Sequence, residues 1–161
     1  MPYQDDTATR STVRQLTCSP LVEKIYLLVP ADKEEPQIPS CASIRVNDLW
    51  SSETIRIIAE HSTTEFILIY TQGDALKLGP FALDRLATLA SETNAGLLYA
   101  DYQETKGEKT EPHPLIDYQE GSLRDDFNFG ALLLYRAEAL IEAITRTHEQ
   151  YRFAGLYDLR L

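Results

Sequence analysis

The chain has 161 residues, and 15 Lys and Arg against 25 Asp and Glu leave a net charge of −10. With 43% hydrophobic and 25% charged residues it has the make-up of a globular protein, long enough for one domain that buries roughly 70% of its unfolded surface. The acidic balance and the lack of any basic run exclude broad binding to a phosphate backbone, so nucleic acid is not an expected partner.

Residues 1–20 are polar and rich in Ser and Thr, and read as a partly ordered lead-in to one domain over residues 21–161. Val22 to Val29 is short and apolar, as a buried strand is. Pro30 ends it, and Ala31 to Ser40, with three prolines and four charges counted from Pro30 on, is a surface loop. Ser43 to Asp48 alternates, with Ile44 and Val46 on one face, and predicts a second strand ending in a turn at Asn47-Asp48. A helix follows over about Ser52 to His61, capped by Ser51 or Ser52, with Ile55, Ile58 and Ala59 on one face.

Glu65 to Tyr70 is too hydrophobic for an edge strand. The loop Thr71 to Gly79 leads to a helix with Pro80 near its first turn. Leu83, Leu86, Leu89 and Ala90 form its stripe, and Asn94 and Gly96 stand where a C-cap belongs. Leu97 to Tyr102 predicts another strand, and Lys106-Gly107-Glu108 a hairpin turn. The return through Glu111-Pro-His-Pro114 is an edge strand or a loop, because proline cannot donate to a ladder. Ala131 to Tyr135 is a strand, and Ala137 to about Glu149 an amphipathic helix. Leu156 to Leu161 begins a helical pattern without a cap, which suggests that the protein continues.

Strands alternating with helices imply an α/β fold: a mostly parallel sheet flanked by helices, with a late antiparallel hairpin. In such sheets the ligand crevice lies at the carboxyl ends of the strands. The candidates are then Asp48, Thr71 to Asp74, and Asp101 to Glu104.

No glycine-rich dinucleotide or phosphate loop occurs, and no HExxH or GxSxG motif. His61, His113 and His148 are scattered. Cys18 and Cys41 form no CxxC pair, so a disulfide scaffold is excluded and a reduced, cytoplasmic location is the default. The longest apolar runs are far shorter than the ~20 residues of a transmembrane helix, and no signal-peptide layout opens the chain.

Carboxylates at strand ends remain. Asp74 could bind Mg²⁺ or Mn²⁺ and so hold a diphosphate, because hard cations share oxygen ligands with phosphates. Gly73-Asp74 is equally ordinary turn chemistry. Asp101 lies between Tyr99 and Tyr102; it could grip hydroxyls while a tyrosine stacks, or it could be a solvated residue in a hairpin. The densest segment, Asp117 to Gly130, sets four acids, one arginine and three aromatics around two glycines. Arg124 could fork onto a phosphate or carboxylate, and Asp125 and Asp126 could act as a base or as hydroxyl ligands. Alternatively, Phe127 and Phe129 plug the core and Arg124 pairs internally.

Three passages carry a resemblance to a known family: Thr64 to Asp74 with Pro80 and the helix behind it, Tyr99-Ala-Asp-Tyr102, and Phe129 to Arg136 with Ala137 to Leu140. Together they resemble the nucleotide-binding half of a family-two glycosyltransferase, the inverting class with a type-A, Rossmann-like fold. Ile116 to Gly130 is similar to a variant of its Bacteroidetes-type branch. The resemblance spans about residues 22–161. It implies a nucleotide-sugar donor, a glycan or other hydroxyl acceptor, and a Mg²⁺ or Mn²⁺ ion held by Asp74. By position it places Asp48 and Asp101, with Tyr102, near the base and ribose. Arg124, Asp125 and Asp126 then line the donor or acceptor side. The family's metal loop has two or three aspartates; here only Asp74 remains. Where the family carries its catalytic Glu-Asp pair this chain has Gly155 and Leu156, which leaves Asp126 or Asp158 to substitute as base. The same departures suit a non-catalytic relative that binds or scaffolds. A nucleotidyltransferase ranks last, because Val29 to Lys33 supplies no glycine-rich loop.

Overall fold

The computed structural model describes residues 1–116 and 127–158, the side chains of Asp6 and Asp158 excepted. Among the described residues, twelve elements run in the order α1 (Asp6–Thr17), β1 (Ile25–Pro30), β2 (Cys41–Val46), α2 (Ser52–Glu60), β3 (Phe66–Tyr70), α3 (Ala82–Thr93), β4 (Leu97–Tyr99), β5 (Tyr102–Lys106), β6 (Lys109–His113), β7 (Leu132–Arg136), α4 (Ala137–Arg146) and α5 (Gly155–Asp158).

The expected lead-in is a helix. Asp5 caps α1, its carboxylate accepting from Ala8 N–H at 2.9 Å. Thr9, Thr12, Val13 and Leu16 recur at helical spacing and are all buried. Val13 and Leu16 pack with Ile25, Leu27 and Val29, the alternate residues on one face of β1. Leu28, on the other face, packs with Ile44 and Val46 of β2 and with Ile58 of α2. Cover on both faces explains why β1 reads as a continuous apolar run.

The sheet differs from expectation. Among the strands of the described residues only β1 and β2 pair in parallel, from Ile25 opposite Cys41 to Pro30 opposite Val46. The other sheets are antiparallel: a three-stranded β3–β7–β4 and a hairpin of β5 and β6. This corrects the mostly parallel, Rossmann-like sheet of a type-A fold, for two reasons. The second edge of β1 is occupied by the start of the chain. Tyr3 N–H donates to Leu28 O at 2.9 Å, Leu28 N–H donates to Met1 O at 2.8 Å, and Pro2 bridges Leu28 in parallel. Meanwhile β7 lies antiparallel between β3 and β4, pairing Ile67 with Tyr135 and Leu97 with the same Tyr135.

The larger core lies on one face of that second sheet. Ile69, Leu133 and Tyr135 meet Ile55 and Ala59 of α2 and Leu140 of α4, and Phe129 joins them. Phe127, Phe129 and Tyr99 form an edge-to-face aromatic cluster with centroids 4.6 to 5.9 Å apart. The phenylalanines that end the dense segment are thus core plugs.

Local capping follows the sequence. Ser51 Oγ accepts from Thr54 N–H at 3.1 Å and starts α2. Asn94 ends α3 in the left-handed region at φ 54°. Gly107, at φ +63°, turns the β5–β6 hairpin.

Candidate functional site

The loop after β3 is the position where the sequence places its chemistry. Thr71 continues the strand briefly, its N–H donating to Ala131 O at 2.8 Å. Gly73 is buried, and a Cβ there would lie 2.1 Å from the side chain of Gln4. The N-terminal segment therefore lies directly on this glycine. Beyond it α1 takes hold of the loop. Leu76 N–H donates to Thr12 Oγ1 at 2.9 Å, and Leu78 N–H donates to Gln15 Oε1 at 2.8 Å. Gln15 Nε2 donates in turn to Leu76 O at 2.8 Å. Three backbone groups of the loop are thus satisfied by two side chains of one helix.

Asp74 is exposed. Its backbone carbonyl accepts from the Tyr70 hydroxyl at 3.2 Å. Burial raises the Tyr70 phenol above its ordinary value, and the nearby Asp74 carboxylate adds to the effect. Among the described residues no three His, Cys, Asp or Glu side chains gather in a group that could hold a metal.

The other strand-end acids serve local structure. Asp48 follows β2; its carboxylate accepts from Arg152 Nε at 3.0 Å. Its carbonyl accepts from the hydroxyls of Thr54 at 2.6 Å and Ser51 at 3.3 Å. Asp101 follows β4, and its carboxylate accepts from Leu115 N–H at 2.7 Å, fixing the chain where it leaves β6. Tyr102 stacks on His113 with centroids 4.8 Å apart, and its hydroxyl accepts from Asn128 Nδ2 at 3.1 Å. Arg124, Asp125 and Asp126 lie outside the described residues, as does the side chain of Asp158, which closes α5. No hydrogen bond or ion pair joins Asp48, Asp74 and Asp101 to one another among the described residues.

The segment where the resemblance expects a base is packed tightly. Gly155 N–H donates to Trp50 O at 2.9 Å, and a Cβ on Gly155 would lie 2.6 Å from the backbone nitrogen of Ser52. Leu156 is buried in the larger core. A shallow, solvent-open hollow lies beside it, with Ile55, Arg56, Ile144 and Gly155 in its wall. Of the described candidates, none of Asp48, Asp74, Asp101 and Tyr102 lines it.

Sequence reasoning missed Gln4, Thr12 and Gln15, the residues that engage the β3 loop. Their signal was the helical spacing of Thr9, Thr12, Val13 and Leu16, which threonine disguised as polar sequence. No helix among the described residues is long and apolar enough to cross a membrane. No family model, no curated protein and no solved structure matches this chain.

Proposed function

We propose that this chain is a non-catalytic binding or scaffolding module that holds a partner rather than transferring a sugar. One observation carries the reading. The loop after β3 uses its Leu76 and Leu78 amides on Thr12 and Gln15, and seats Gly73 beneath Gln4. Backbone amides and a close-approach glycine are what a loop offers to a diphosphate. Here both are engaged by the chain's own first fifteen residues. The Gly155–Leu156 segment supports the same reading, because its backbone packs on α2 and its leucine fills the core.

The test is donor hydrolysis and transfer by the intact protein across UDP, GDP and TDP sugars with Mg²⁺ or Mn²⁺. The reading expects neither activity from folded protein. Turnover that disappears in Asp74→Ala would overturn it.

A second reading, transfer from a nucleotide sugar, is favoured by the exposure of Asp74 in the loop after β3, whose last two residues are buried. In that reading Asp74 would hold Mg²⁺ or Mn²⁺ against the leaving diphosphate. The same assay separates the two.

A further inference from the structure

We draw no further inference here: the strongest candidate, the exposed aromatic corner of Tyr151 and Phe153 beside the hollow between α2 and α4, is an unpartnered apolar face, and nothing in the structure shows what covers it.

Discussion

The Thr12 hydroxyl accepts a hydrogen bond from the Leu76 amide at 2.9 Å, joining positions 64 residues apart. Thr12 is fully buried, and its bond to the half-buried Leu76 is partly shielded from water. It ties the first helix to the loop that follows β3.

Thr12→Val keeps the shape and removes the acceptor. It should lower unfolding stability by about 0.5–1.5 kcal/mol, the net contribution of one partly shielded hydrogen bond. Gln15→Ala removes the bonds to Leu76 O and Leu78 N–H and should cost a similar amount. Urea unfolding gives the stability, and hydrogen exchange at Leu76 and Leu78 gives the location. Unchanged exchange at both amides would show that α1 does not hold the loop.

Two glycines test the packing with opposite expectations. Gly155→Ala sets a Cβ against the backbone of Ser51 and Ser52, which cannot swing away. It should cost about 1–3 kcal/mol through overpacking. Gly73→Ala meets only the side chain of Gln4, which is exposed and can move. It should change stability by about 0.5 kcal/mol or less. Equal effects in urea unfolding would contradict the two environments.

Stability should rise with pH from about 5 to 8. The Met1 amine donates to Tyr26 O at 2.9 Å, and burial lowers its pKa from 8.0 to about 5. The unfolded state therefore binds more protons in this interval, which makes the slope of stability against pH positive. The gap is worth on the order of a few kcal/mol. At the alkaline end the sign reverses. Burial raises the Cys41 thiol and the Tyr70 phenol above their ordinary 9.0 and 10.0, so the unfolded state loses those protons first. Stability should then fall as pH climbs past about 9. Urea midpoints at pH 5, 6.5, 8, 9 and 10.5 check both limbs, and a midpoint that falls between pH 5 and 8 would contradict the buried amine.

Much of the local structure was legible in the sequence. The apolar run of β1, the Ser51 cap of α2, the Asn94 end of α3 and the turn at Gly107 each follow from one residue's chemistry. Strand pairing was not legible. A run such as Phe66 to Tyr70 says that it is apolar, not which neighbour it bonds; its partner β7 begins at Leu132, 62 residues beyond Tyr70, and runs antiparallel. That the edge of β1 is taken by Met1 to Tyr3 depends on three backbone bonds that no periodicity encodes. Helix α1 was hidden because Thr9 and Thr12 are buried where a leucine would have declared the face. At the candidate site, strand-end placement located Asp48, Asp74 and Asp101 after β2, β3 and β4. Their partners, Arg152 for Asp48 and Leu115 N–H for Asp101, are set by tertiary contacts.

On the proposed reading the loop after β3 is a structural fastening. Thermal unfolding of the chain with UDP, GDP and TDP sugars, each with and without Mn²⁺, tests it most directly. A donor that binds the folded state at a hundredfold excess over its Kd would raise the midpoint by roughly 5–10 °C. No donor should shift the midpoint, with or without the metal. A Mn²⁺-dependent rise for one nucleotide, abolished in Asp74→Ala, would contradict it and establish the loop as a donor site.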